Sequence, residues 1–166
     1  GVLFMGHFMK ADLKIDNIYH INPEMLKNLG IKGILFDIDN TLEEYATVIP
    51  SQKTIDFIRG LNDEGFKVGI LSNAKEERAD KFVKGFTAEG FNHIYCCAKA
   101  GKPLRKGFAG MAHKMNLNIN EIAMVGDQLY TDILGGNKAG CYTILVNPVN
   151  VKIEPWFVRF KRFLEK

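Results

Sequence analysis

The sequence predicts an α/β fold, a mostly parallel sheet with helices on both faces. Three observations predict it. Short apolar runs near 33–38, 67–72, 93–97, 121–126 and 141–146 have the length and β-branched content of buried strands. Between them the apolar residues recur at helical spacing, so strands and helices alternate and the connections are right-handed crossovers. Three of the runs end in reactive residue types, Asp37/Asp39, Ser72-Asn73 and Asp127. In a parallel sheet these ends share one edge, where ligands bind near the switch in strand order.

The elements follow in order. Gly1 to Met9 is apolar without a basic lead, so no secretory signal is expected, and Met5 and Met9 are candidate natural starts. Asn22-Pro23-Glu24 reads as a helix start, with Asn as cap, Pro in the first turn and an early acid, and Gly30 ends that helix. Residues 33–38 form the first strong strand. Pro50-Ser51 opens a helix with Ile55, Ile58 and Leu61 on one face, stopping near Gly65. After the strand Lys67–Ser72, a helix carries Ala79, Phe82, Val83 and Phe86 inward, and His93–Cys97 is a short strand. Phe108, Met111, Ala112 and Met115 give the next helical face. Glu121–Gly126 is a strand running into Asp127, a helix spans about Tyr130 to Lys138 and closes at Gly140, and Cys141–Val146 is the last strand. Gly135-Gly136 lies in no GxGxxG or Walker pattern and reads as close packing.

With 166 residues, 46% hydrophobic and 25% charged, the chain is expected to form one domain with a sizeable core. Its expected parts are an N-terminal extension with a short helix (1–30), a core (31–147) and a basic amphipathic tail (148–166). Three cysteines (Cys96, Cys97 and Cys141) without a CxxC pair point to a reducing, cytoplasmic setting. The histidines show no ligand spacing. The net charge of +3 sits in the tail, where Arg159, Lys161, Arg162 and Lys166 face Glu165 alone. A nucleic-acid partner is therefore not expected.

Asp37 and Asp39, two apart on an extended segment, face one ligand together, and two such carboxylates stay ionised only beside a cation. A phosphate ester fits this edge. Asp37 is suited to attack phosphorus and Asp39 to protonate the leaving oxygen. Asp127 and Asp37 are suited to hold Mg²⁺, and Ser72 with Lys102 to hold the phosphoryl oxygens. Pro103 is expected to open the following helix and aim Lys102. Each residue taken alone has a plainer reading: Ser72-Asn73 as a helix cap, Lys102 as surface, Gly126-Asp127 as a turn, Asp132 as a first-turn acid.

Taken together, Asp37-Ile38-Asp39-Asn40-Thr41, Leu71-Ser72-Asn73, Lys102-Pro103 and Gly126-Asp127 through Asp132 resemble the four motifs of the haloacid dehalogenase (HAD) superfamily. The resemblance implies a Rossmann-like core of three layers, α/β/α, with motif one on the central strand. It implies Mg²⁺ held by Asp37, the Asp39 carbonyl and Asp127, with Asp132 supporting the metal or the lysine. Ser72, Asn73 and Lys102 would bind phosphate, with Thr41 in support. The acid two places after the nucleophile is the phosphatase form. Only residues 42–66 and 74–101 separate the first three motifs, so no cap domain is expected and the chain resembles the capless group, subfamily IIIA. An uncapped site takes a large substrate or relies on a homo-oligomer for enclosure. Gly101-Lys102-Pro103 and Gly126-Asp127-Gln128-Leu129-Tyr130-Thr131-Asp132 are most similar to the YqeG-like, phosphatidylglycerophosphate-phosphatase branch, which implies a phosphorylated lipid headgroup as substrate.

In the tail, Trp156, Phe157, Phe160, Phe163 and Leu164 fall at helical spacing among the basic residues. Packing of this aromatic face onto the sheet is the first expectation. Peripheral contact of 156–166 with an anionic membrane surface is the alternative. Two rival functions stay open: a phosphatase of soluble sugar phosphates, nucleotides or phosphoproteins, and a catalytically silent HAD-fold binding or regulatory protein. A receiver domain is disfavoured, because its acceptor Asp lies well into the chain behind an early acidic pair.

Overall fold

The computed structural model describes residues 6–165, so expectations for residues 1–5 and Lys166 lie outside the described residues. Six parallel strands form one sheet in the order β1-β6-β5-β2-β3-β4. They are β1 (Leu13–Ile15), β2 (Gly33–Phe36), β3 (Lys67–Leu71), β4 (Ile94–Cys97), β5 (Ile122–Gly126) and β6 (Tyr142–Val146). The sheet is thus wholly parallel, and five strands match the apolar runs of the sequence. β1 is the addition. Its three residues, Leu-Lys-Ile, are too short to give a period, and pairing with β6 alone fixes them as a strand.

The helices are α1 (Pro23–Asn28), α2 (Gln52–Asp63), α3 (Glu76–Ala88), α4 (Arg105–Met115), α5 (Leu134–Ala139) and α6 (Trp156–Leu164). Their ends follow the expected chemistry. Asn22 caps α1 by accepting from the Met25 N–H, with Pro23 in the first turn. The Ser51 hydroxyl caps α2 by accepting from the Thr54 N–H. After α5, Gly140 takes a left-handed φ of 101°, which only glycine adopts without strain.

Alternation along the buried strands builds two cores. Ile34 and Phe36 of β2 join Ile58 of α2 and Phe82 and Phe86 of α3 on one face. Leu35 points the other way, to Phe108, Met111 and Met115 of α4. Burial of Phe36 alone is worth roughly 1.5–3 kcal/mol. Gly135 and Gly136 serve close packing as expected: a Cβ at Gly135 would lie 2.8 Å from the Phe108 ring and 3.0 Å from the Pro103 Cα.

Chain order reverses at β2. The path runs outward through β3 and β4, then returns to β5 and β6 on the other side, which leaves a crevice at the carboxyl end of β2. The segments 42–66 and 74–101 contain only the loops, α2, α3 and β4 of this core, and no cap domain is present among the described residues.

The tail departs from the first expectation. In α6 only Val158 is buried, whereas Trp156 is 78%, Phe160 54% and Phe163 71% exposed. The helix rests on the mouth of the crevice rather than on a face of the sheet, because its docking groups are Val158 and Arg162.

Candidate active site

Register brings the strand ends together. Phe36 pairs with Ile70 on β3 and Val125 on β5, and the Asp37 N–H donates to the Val125 carbonyl at 3.1 Å. The next residues along these strands, Asp37, Ser72 and Asp127, therefore emerge at one edge, and all three are buried.

Lys102 joins the edge from the loop after β4. Its Nζ donates to Asp37 Oδ1 at 2.9 Å and to Asp132 Oδ1 at 2.7 Å. Pro103 does not open the helix, since α4 begins at Arg105 with Leu104 as its cap, and the Lys102-Pro103 peptide is cis. Asn73 aims the lysine instead. Its Nδ2 donates to the Lys102 carbonyl at 3.2 Å, and its Oδ1 accepts from the Lys102 N–H at 2.9 Å. Ser72 Oγ accepts from the Ala74 N–H at 3.1 Å and fixes the same loop.

The helix expected from Tyr130 starts as a wide turn, Leu129–Ile133, before α5 continues it. Such π-type turns recur at functional sites. This one drives Asp132 back under Gly126, where its Oδ2 accepts from the Gln128 N–H at 3.1 Å. Any Cβ at Gly126 would overlap that carboxylate. Thr41 Oγ1 donates to Asp127 Oδ1 at 3.0 Å.

Asp39 is placed differently from Asp37. Its carboxylate is held in the cleft wall by Arg78 of α3 at 2.6 and 3.1 Å, and the Ala46 N–H donates to it at 2.8 Å. Asp37, Asp39, Asn73, Arg78, Lys102, Gln128 and Thr131 line a cleft of about 250 Å³, and Phe157, Val158 and Lys161 of α6 close its far side.

Charge in this site is unbalanced. Oxygens of Asp37, Asp127 and Asp132 all lie within 4.8 Å of one another, against the two cations Lys102 and Arg162. Burial raises the Asp37 carboxyl well above its ordinary range; Lys102 opposes this, while Asp132 and Asp127 push further. Burial, then Asp132, pushes Asp127 up to about 6, against Arg162 and Thr41. Burial pulls Lys102 down, but Asp132 and Asp37 outweigh it and hold its ammonium above the ordinary value. Three buried oxygen donors with surplus negative charge suit a hard divalent cation such as Mg²⁺. The cluster contains Asp37 and Asp127 of the expected set and adds Asp132, which also supports the lysine. The Asp39 side chain stands outside it.

Three further residues, Arg162, Glu154 and Arg78, reach the site without a motif to announce them. Arg162 of α6 donates from Nη1 to the Asp127 carbonyl at 3.0 Å and from Nη2 to Asp127 Oδ2. It also holds Glu154 through Nε, at 2.9 Å to each carboxylate oxygen. Glu154 accepts from Asn40 Nδ2 at 2.6 Å, and Arg78 grips Asp39. A basic residue on an amphipathic helix looks the same in sequence whether it faces water or a carboxylate. Asn40 was legible only as part of the Asp37–Thr41 run.

Residues 16–146 match the model of the family described as haloacid dehalogenase-like hydrolase. The chain is 38% identical over 159 residues to "Probable phosphatase YqeG" of Bacillus subtilis, spanning 96% of this chain and 88% of that one. It is 31% identical to "Phosphatidylglycerophosphate phosphatase 1, chloroplastic/mitochondrial" of Arabidopsis thaliana over 95% of this chain, but spans only 46% of that relative. The fold is similar to that of a HAD phosphatase from Thermococcus onnurineus, with a TM-score of 0.57 at 16% identity over 75% of this chain and 89% of that one. A parallel core with its acidic residues gathered at the switch point, matched in sequence across most of its length, places this chain among the haloacid dehalogenase-like hydrolases, as a phosphatase of that family.

Proposed function

We propose that the chain is a Mg²⁺-dependent phosphomonoesterase that works through an aspartyl-phosphate on Asp37. The observation that carries this reading is Asp37 itself, buried at the end of β2 with Lys102 at 2.9 Å and two further carboxylates around it. An Asp37 oxygen attacks phosphorus, the ester P–O bond breaks, and the leaving oxygen takes its proton from Asp39. Water then attacks the phosphorus, its proton passes to Asp39, and the bond to Asp37 breaks with release of phosphate. To act as acid, Asp39 must give up its pairing with Arg78. Lys102, held by Asn73, faces the transferring oxygens, with the Ser72 loop beside it. Asp37 and Asp127, with the Asp39 carbonyl, would hold Mg²⁺, which when bound neutralises the charge between an anionic nucleophile and an anionic phosphate.

For the substrate we infer phosphatidylglycerophosphate or a similarly large phosphate ester. The named relatives support it, and so do the lack of a cap among the described residues and the apolar wall of Phe157 and Val158. The exposed aromatic face of α6, rimmed by Arg159 and Lys161, supports a peripheral place on an anionic membrane surface at the cytoplasmic side. No helix among the described residues is long and apolar enough to cross a membrane.

Asp37→Asn is expected to abolish turnover of an aryl phosphate in Mg²⁺; full activity in that variant would sink the mechanism. A lack of turnover by the unmodified chain across several divalent ions would favour a binding module. Rates on phosphatidylglycerophosphate in mixed micelles are expected to exceed those on a panel of soluble phosphate esters. If soluble esters win by orders of magnitude, the lipid reading is wrong.

A further inference from the structure

Every oxygen of the Asp127 carboxylate is already engaged by the chain. Thr41 donates to Oδ1 at 3.0 Å, and Arg162 donates to Oδ2 while its other terminal nitrogen holds the backbone carbonyl at 3.0 Å. The pair is deeply placed, with the Asp127 side chain 0% and the Arg162 side chain 16% exposed. Lys102 serves Asp37 and Asp132 but not Asp127. The two cations thus divide the cluster, and Asp127 falls to a guanidinium that comes from the far end of the chain. The same guanidinium is steered by Glu154, which Asn40 binds from the Asp37–Thr41 loop. The helix that carries it also brings Phe157 and Lys161 to the wall of the cleft.

We propose that Arg162 is a positioning residue that stands in for the metal on Asp127. It latches α6 across the cleft while the carboxylate cluster lacks a divalent cation, and the cation displaces it. The proposal rests on the reading of Asp127 as a metal ligand. Its physical ground is competition: a guanidinium and a divalent cation repel, and both need oxygens of one carboxylate. Displacement of Arg162 loosens α6 at the mouth of the cleft, where Val158 and the Glu165 carboxylate on the Tyr130 N–H still hold it. By reciprocity, whatever the cation contributes to releasing the helix, the helix subtracts from binding of the cation.

The test uses the full chain without substrate. Mg²⁺ affinity is measured by calorimetry, and α6 is followed by amide exchange over residues 156–165 and by fluorescence of Trp156, the single tryptophan. In the unmodified chain, saturating Mg²⁺ is expected to speed exchange in α6 and shift the Trp156 emission. Arg162→Gln is expected to bind Mg²⁺ roughly tenfold more tightly, with fast exchange in α6 whether or not metal is present. Arg162→Lys keeps the charge and is expected to restore part of the metal response. Unchanged or weaker Mg²⁺ binding in Arg162→Gln, or exchange in α6 that ignores Mg²⁺, overturns the latch. Should Arg162→Gln fail to fold, Glu154→Gln loosens the guanidinium from its other side and is read the same way. Asp127→Asn separates the two layers. If Mg²⁺ binding survives it unchanged, the metal reading fails; if it removes binding while Arg162→Gln changes nothing, the latch alone fails.

Discussion

Lys102 shows how a single side chain is made functional by residues far from it. A lysine in a loop is ordinarily solvated, yet this one is buried and held by Asp37 and Asp132. Its direction comes from Asn73, 29 positions away, through hydrogen bonds to both sides of its peptide. Asn73→Ala is expected to leave a backbone pair unsatisfied, lowering stability by about 1–3 kcal/mol in urea unfolding and lowering kcat on an aryl phosphate. A variant with wild-type stability and rate would show that the cluster alone aims the lysine. At this scale Asp37 and Asp127 were legible because each directly follows an apolar run, and Lys102 was legible only through the Lys102-Pro103 pair in the ordered set of motifs. Arg78, Glu154 and Arg162 were not, since their partners are set by three-dimensional proximity: Arg78 and Asp39 are 39 apart, Arg162 and Asp127 35.

Among the elements, α6 matters most, because one helix serves two environments. Its inner side places Val158 and Arg162 against the site, and its outer side shows Trp156, Phe160 and Phe163 to solvent. On the membrane reading, Phe160→Ser with Phe163→Ser is expected to abolish co-sedimentation with anionic vesicles while leaving aryl phosphate hydrolysis intact. Equal sedimentation of both proteins would count against a lipid-facing α6. The junction of α4 and α5 tests packing instead. Gly135→Ala puts a methyl against Phe108 and the Pro103 backbone and is expected to cost about 1–3 kcal/mol, read as a lower Tm. An unchanged Tm would mean that the loop yields. Helix boundaries were readable from Asn22-Pro23, Ser51 and Gly140, since caps are local chemistry. The wide turn at Leu129–Ile133 was read as ordinary helix, because one extra residue in a turn leaves no mark on the periodicity.

Across the whole molecule, burial of the acidic cluster makes folding depend on pH. Asp37 and Asp127 bind protons more tightly folded than unfolded, with Asp127 pushed up to about 6. Groups raised in this way contribute stability that is fully present below their unfolded value near 4 and lost as pH rises through the folded value. The metal-free protein is therefore expected to melt lower at about pH 8 than at about pH 5, and Mg²⁺ to raise Tm more at the higher pH. Thermal melts after chelation, with and without added Mg²⁺, check this; a Tm that rises with pH in the chelated protein would contradict the assigned shifts.

The sequence by itself determined the alternation of strands and helices, a mostly parallel sheet, the absence of an inserted cap among the described residues, and the gathering of the strand ends Asp37/Asp39, Ser72-Asn73 and Asp127 at one edge. It could do so because strand burial and helix capping are written within a few neighbouring residues, and parallel topology then carries strand ends to a common place. Only the tertiary structure decided that Asp39 faces Arg78, that Asp132 underlies Gly126, and that the tail turns its aromatic side outward. Those outcomes depend on which charges come within a few ångströms of one another once the chain is closed, and Coulomb attraction in a buried site selects partners by distance in space, not by position along the chain.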